Sequence, residues 1–449
     1  MAGLGEPPVA VVGAGIGGLT AAHDLNRRGI GVRVFEAGEQ IAGLGRSFRD
    51  DEGFTYDFGA HFVTNRFAEA VGVLERCRTV EHFGETVWLD GKTYSFPLGL
   101  LRSPRFAFSG LAARIRPRSG QDPASAAEWY RASYGASLAE EVAIPLLEAW
   151  SGAAAEELAP SVIPPQVDRG TWHVVKLKMA SRMSGRAVAN GFSREMPEHA
   201  GVWHVYPEGG VSTLCEPLAE GLDVSLRSPV QAIVVEHERV VGVRVNGVLE
   251  EAAAVISTAP IHILPKLIEG SEALSHLARF RYRPIVLVNL KFEGRPFLPE
   301  VTTWVPDRTF PFFRLTEPPL SMPWLAPDGM TMITADIGCE TDDPIWTMDE
   351  DDLAALCIEH LARIVPSAAK RYRGCRVLKT PVGYPIYLRS YERERVSLES
   401  GLPLQGLFSV GRNGEFAHIL MEDVYWRTLR RMDEVAAYLA GRQVVEPAA

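Results

Sequence analysis

The stretch Val9-Ala10-Val11-Val12-Gly13-Ala14-Gly15-Ile16-Gly17-Gly18-Leu19 constrains this chain more than any other. A short apolar run rich in β-branched valine and bounded by glycine reads as a buried strand. Gly13 makes the tight turn that follows, Gly15 lets the backbone approach a pyrophosphate, and Gly18 lets the next helix lie close against the strand. Leu19, Ala22 and Leu25 continue at helical spacing towards Gly29, so the helix N-terminus aims its free N–H groups at the phosphates. A second strand, Val32-Arg33-Val34-Phe35, then ends at Glu36-Ala37. A carboxylate at that strand end accepts hydrogen bonds from a ribose diol and repels a 2′-phosphate, which favours FAD or NAD over NADP. Strand, glycines, helix, strand and terminal acid in register predict an α/β chain with a Rossmann-like dinucleotide-binding domain. The bland reading, a glycine-rich turn with a solvated Glu36, leaves that register unexplained.

The 449 residues exceed what one hydrophobic core usually serves, so at least two domains are expected. The formal net charge is −10, and Lys and Arg are spread along the chain, so no nucleic-acid footprint is present. The densest basic run, Arg105, Arg114, Arg116 and Arg118, lies among Pro104 and Pro117 and reads as a solvated segment. Five scattered cysteines form no Cys-x-x-Cys pair and no metal-ligand spacing with histidine, which predicts a reduced, cytoplasmic protein without a metal centre. The apolar run near the N-terminus is the glycine-bearing strand, not a signal-peptide core, and no stretch reaches the length of a membrane span.

After Glu36 come Gly43-Leu44-Gly45-Arg46 and Phe54-Thr55-Tyr56-Asp57-Phe58-Gly59-Ala60-His61-Phe62. A glycine-rich loop ending in arginine, followed by Asp-x-Gly-x-His, resembles the second FAD motif of flavin amine oxidases, protoporphyrinogen oxidases and UDP-galactopyranose mutases. Gly43 and Gly45 would bring backbone N–H groups to the pyrophosphate, and Arg46 would add a charge-assisted contact. In the resembling family, Gly59, Ala60 and His61 face the flavin. An imidazole there can donate or accept a proton near neutral pH, which makes His61 the catalytic candidate, with a packed structural histidine as the plainer alternative.

Further along, Val87 to Pro97 reads as a hairpin turning at Asp90-Gly91. Residues 124–149 have helical spacing that Pro145 should break or kink. Lys176 to Arg194 is basic and poor in periodicity, so a loop or partner surface is expected there. A helix at Leu214 to Glu220 and strands at 230–235, 240–245 and 253–258 follow. The resemblance places a backbone position near Val230 against adenine. Residues 281–292 read as a long buried strand opening the substrate half, with Trp304 and Arg314 as candidate lining residues on later strands. The acidic cluster Asp349 to Asp352 reads as the charged first turn of a helix, not as a metal site.

Near the C-terminus, Leu407-Phe408-Ser409-Val410-Gly411-Arg412 leads through Met421 into an amphipathic helix. This resembles the C-terminal flavin motif of the same superfamily, in which Gly411, Arg412 and Met421 would lie at the flavin pyrimidine. With FAD as cofactor, the expected domains are a discontinuous FAD-binding unit (1–69, 205–262 and 404–445) and a helical and β-sheet substrate unit (70–204 and 263–403). The leading function is an FAD-dependent oxidoreductase that takes hydride from a small organic substrate. The alternative is a non-redox sugar mutase resembling UDP-galactopyranose mutase, whose usual tyrosines are replaced here by Phe416 and His418 and its aspartate by Leu420. A flavin-binding protein without catalysis is the third reading. Flavin amine oxidases commonly carry a lysine near flavin N5. The matching position here is Val288, with Lys291 expected on the opposite side of that strand, which argues against simple amines.

Overall fold

Val9–Val12 is buried along its whole length because its two faces serve different layers. Val9 and Val11 pack with helix Ile16–Arg27 and the C-terminal helix Met421–Val445. Ala10 and Val12 face a second cluster formed with residues of the 230–245 strands and the 126–147 helices. Strands covered on both sides are a feature of parallel sheets. In the computed structural model, which describes residues 7–59, 61–96, 99–115, 122–164, 171–190 and 193–445, this strand is the middle of five. The order runs Val224–Ser225, Val32–Phe35, Val9–Val12, Ala254–Ser257 and Leu407–Ser409, all parallel. Segments far apart in sequence therefore build one sheet around the glycine turn.

The second large element is a seven-stranded mixed sheet. Its long strand Tyr282–Glu293, second from one edge, pairs antiparallel with Met330–Gly338 on one side and with the edge strand Tyr372–Pro385 on the other. It continues through Arg314–Thr316 and Thr302–Trp304 to the hairpin Glu85–Leu89 and Lys92–Ser95. Alternation sorts its side chains: Val286, Val288 and Leu290 pack with Leu353, Cys357 and Leu361 of helix Glu350–Leu361. Ile285 and Leu287 point the other way, towards Phe54, Tyr56 and Phe313. The acidic cluster caps that helix, with the Asp349 carboxylate accepting the Asp352 N–H at 2.9 Å.

Three local expectations are corrected. The helical stretch is interrupted at Gly135 (φ +79°), and residues 139–143 form a wide π turn just before Pro145. Pro145 follows that π turn inside a helical run continuous from Ala136 to Ser151, so the distortion expected at the proline takes the form of a widened turn and not a break. The segment read as a loop from Lys176 contains a helix, Thr171–Ser184. Its large apolar residues Trp172, Met179 and Met183 face solvent, so no core-facing stripe marks it, and its Lys, Leu, Met and Ala content favours helix. The helix expected at Leu214 to Glu220 is a 3-10 segment, Val211–Cys215, followed by a single turn Glu216–Ala219 that begins around Pro217.

Candidate active site

The glycine turn is shaped by what each position excludes. Gly13 has φ +99°, and a Cβ there would lie 2.1 Å from Thr258 Oγ1, which donates to the Val12 carbonyl at 2.8 Å. A Cβ on Gly18 would lie 1.9 Å from the Gly13 carbonyl oxygen, so the helix can approach the strand only as glycine. Gly15 is different: nothing lies within 4 Å of its Cβ position, and it lines a cavity of about 2730 Å³. It is also the N-cap of Ile16–Arg27, with no side chain capping the helix and no acid in the first turn. Uncapped N–H groups therefore face open space, the arrangement that holds an anionic group.

Glu36 ties this turn together from the neighbouring strand. Its carboxylate oxygens accept the N–H groups of Ala14 and Gly38, each at 2.7 Å, and it also lines the cavity. Ile16, Gly17, Gly43, Gly45, Gly59 and His61 line the same space, as do Gly411, Arg412 and Met421. Gly43 (φ +53°) packs against the Gly15 Cα, which brings the second glycine loop onto the first.

Other expected positions lie elsewhere. Ala14 and Gly18 are buried supports of the turn and do not line the cavity. Ala37 is exposed. Arg46 does not reach the cavity wall; its guanidinium sits over the Phe48 ring at 5.4 Å. Val230 opens the strand Val230–Glu236, beyond Ser228, whose N–H donates to the Glu36 carbonyl; it is near the turn but off the wall. Ala60 lies outside the described residues.

His61 lies 3.7 Å, Nδ1 to Oδ2, from Asp57, too far for a hydrogen bond. Asp57 is already engaged by Tyr206 Oη at 2.7 Å and by Ser47 Oγ at 2.5 Å. The His61 Nδ1 has no hydrogen-bond partner among the described residues, so the ring is placed but not committed.

The opposite wall comes from the seven-stranded sheet, whose register sets Trp304 beside Arg314 and Arg314 beside Asp336. Arg314 is ion-paired to the buried Asp336 and lies 5.5 Å from the Trp304 ring centre. Closure from water disfavours the Arg314 charge, but Asp336 and Tyr384 outweigh this and hold it firmly protonated. Val288, the position matched to the family lysine, faces away from the cavity, and Ile285 and Leu287 take the wall. Lys291 is indeed on the face opposite Val288, where its Nζ pairs with Asp50 at 2.6 Å and Glu52 at 2.9 Å.

Four further residues complete the wall, and of these only His418 carries a sequence signal, as the replacement of a mutase tyrosine. His418 has its ring 5.0 Å from Trp150 and 5.4 Å from Tyr384, and its pKa lies well below the usual histidine value because it is enclosed and faces Arg412, Arg194 and Arg314. Asp336 became visible only through its pairing with Arg314. Glu85 is buried, accepts the Trp304 indole N–H at 3.1 Å, and has a pKa raised by burial against the pull of Lys178. Lys178, on the helix misread as a loop, donates to the Phe96 carbonyl at 2.7 Å, and enclosure lowers its pKa against the pull of Glu85. The arginine side chains leave Nε of Arg314 and of Arg412 unpartnered among the described residues.

Pockets that bury a drug-sized ligand measure roughly 300–1,000 Å³, so this larger cavity has room for a dinucleotide and a further molecule. The open Gly15 cradle, the uncapped helix and the unpartnered wall donors fit FAD.

Residues 16–424 match a family model described as flavin containing amine oxidoreductase. Over 67 residues, 15% of this chain, the sequence is 43% identical to protoporphyrinogen oxidase 2 of Arabidopsis thaliana, and that stretch spans 13% of the relative's length. The fold is similar to reduced UDP-galactopyranose mutase, with TM-score 0.75 and 17% identity over 96% of both chains. It is also similar to cyclohexylamine oxidase from Brevibacterium oxydans IH-35A, with TM-score 0.72 and 14% identity over 97% of this chain and 100% of that one.

Proposed function

The chain belongs to the flavin containing amine oxidoreductase family, an FAD-dependent oxidoreductase by that membership, and from this premise we propose that it oxidises a small organic substrate by hydride transfer to FAD. The observation that carries the reading is the continuity of one cavity from the Gly15 cradle to the Trp304–Arg314–Asp336 wall. Cofactor and substrate can then meet without leaving it. Bound FAD supplies a two-electron acceptor.

In this reading Gly15, Gly17, Gly43 and Gly45 leave space and N–H groups for the pyrophosphate, and Glu36 serves the ribose. Gly59, Gly411, Arg412 and Met421 border the flavin end. His61 holds or takes a proton, since its Nδ1 is uncommitted. Trp304 and Leu287 exclude water, and Arg314 orients a polar group of the substrate. Residues 1–69, 205–262 and 404–445 hold the cofactor, and 70–204 and 263–403 form the substrate side. Five free thiols support a reducing compartment, the cytoplasm.

One observation favours a second reading, a non-redox sugar mutase. Arg194, Arg314 and Arg412 all act on His418 in the cavity, and such a cationic wall suits a sugar diphosphate. Against it, Phe416 packs among Phe280, Tyr282 and Tyr387 and is fully buried, so it cannot replace a substrate-binding tyrosine.

Anaerobic mixing of the purified yellow holoprotein with candidate substrates separates the two. Bleaching of the oxidised flavin absorbance by a substrate supports the oxidoreductase. Turnover only after dithionite reduction, with no acceptor consumed, sinks it in favour of the mutase. His61→Ala should retain FAD and slow the bleaching; an unchanged rate returns His61 to a packing role.

A further inference from the structure

Two helices at the rim of the cavity expose large apolar side chains that a protein surface in water ordinarily covers. On Pro104–Ile115, Phe108 is 72% and Ile115 73% exposed, with Leu111 between them at the spacing of one helical face. On Thr171–Ser184, Trp172 is 75% and Met183 86% exposed, with Met179 on the same stripe. The helices belong to one rim: residues of each line the cavity, and the Lys178 ammonium on the second donates to Phe96, in the chain leading to the first.

The charge of this rim is opposite to that of the rest of the chain. Residues 99–115 and 171–186 together carry seven Lys and Arg and no Asp or Glu, in a chain of net charge −10. Arg102, Lys176, Arg182 and Arg186 are exposed beside the apolar stripes. Apolar anchors flanked by cations are the composition of a surface that lies in a bilayer interface. Among the described residues no helix is long and apolar enough to cross a membrane, so attachment would be superficial.

We propose that this rim seats on an anionic phospholipid surface, with Phe108, Ile115, Trp172 and Met183 entering the interface and Lys176 and Arg182 pairing with lipid headgroups. A second copy of the chain fits less well, because two such basic faces would repel each other. The cavity mouth then opens beside the bilayer. The proposal does not depend on the reaction catalysed.

Flotation of the full FAD-loaded chain with phosphatidylcholine vesicles, with and without phosphatidylserine, tests it. The wild type should float with the phosphatidylserine vesicles and be released by high salt. Lys176→Glu with Arg182→Glu should weaken partitioning by roughly tenfold or more. A variant carrying Phe108→Ser, Ile115→Ser, Trp172→Ser and Met183→Ser should stay unbound while keeping wild-type FAD content and melting temperature, since those side chains support no core. Wild-type protein that fails to float with either vesicle overturns the proposal. So does sedimentation showing a wild-type dimer that the four-serine variant breaks, because a second copy would then cover this face.

Discussion

Gly17 and Gly411 meet backbone to backbone: a Cβ on Gly17 would lie 3.1 Å from the Gly411 Cα and 3.4 Å from Val424 Cγ1. The first turn of the dinucleotide grip and the start of the C-terminal motif are thereby one structure. Gly17→Val should force them apart, costing about 1–3 kcal/mol as overpacking does. A lower melting temperature and reduced FAD content after gel filtration are expected; a wild-type melt would show that the two segments separate freely.

Glu36 holds two backbone N–H groups as well as facing the cavity. Glu36→Ala should therefore weaken FAD binding and also lower the stability of the flavin-free protein, on the order of 1.5–3 kcal/mol for charged hydrogen bonds. Urea unfolding of the apoprotein checks the second effect. A variant that loses only FAD affinity would mean the carboxylate serves the ribose alone.

The Arg314–Asp336 pair sits on the substrate wall with Asp336 almost fully enclosed. Asp336→Ala leaves the guanidinium uncompensated and should cost about 3–5 kcal/mol, whereas Arg314→Met with Asp336→Leu should recover most of that. Denaturation of both variants measures it. If the double replacement is no better than Asp336→Ala, packing and not charge governs the site.

Glu415 gives a pH dependence of definite sign. Its side chain is 9% exposed, and burial, only partly offset by Arg427 and Arg431, raises its pKa from 4.5 to about 7. The folded protein keeps this proton where the unfolded chain has released it. Its contribution is thus fully present below pH 4.5 and is lost as pH rises towards about 7. The loss is about 3 kcal/mol at 1.36 kcal/mol per pKa unit. Glu415→Gln should be more stable than wild type at pH 8 and lose that advantage at acid pH, as read by urea midpoints across the range. A constant difference at every pH would rule the titration out.

The sequence by itself determined the local machinery. The valine strand, Gly13 and Gly18, the following helix and Glu36 are all set within one βαβ unit, where each residue is constrained by near neighbours. The Asp90-Gly91 hairpin, with both residues at positive φ, and the Asp349 cap are legible for the same reason. Tertiary structure decided the far wall. Whether Val288 or Leu287 faces the cavity depends on which side helix Glu350–Leu361 covers, and a one-residue shift in strand phase exchanges the two faces. Arg314 becomes a buried, paired cation only because strand register sets it beside Asp336. Lys178 reaches the cavity from a surface helix whose large apolar residues Trp172, Met179 and Met183 face outwards, so its spacing marks no buried face. Such pairings join residues far apart in the chain, and no local spacing records them.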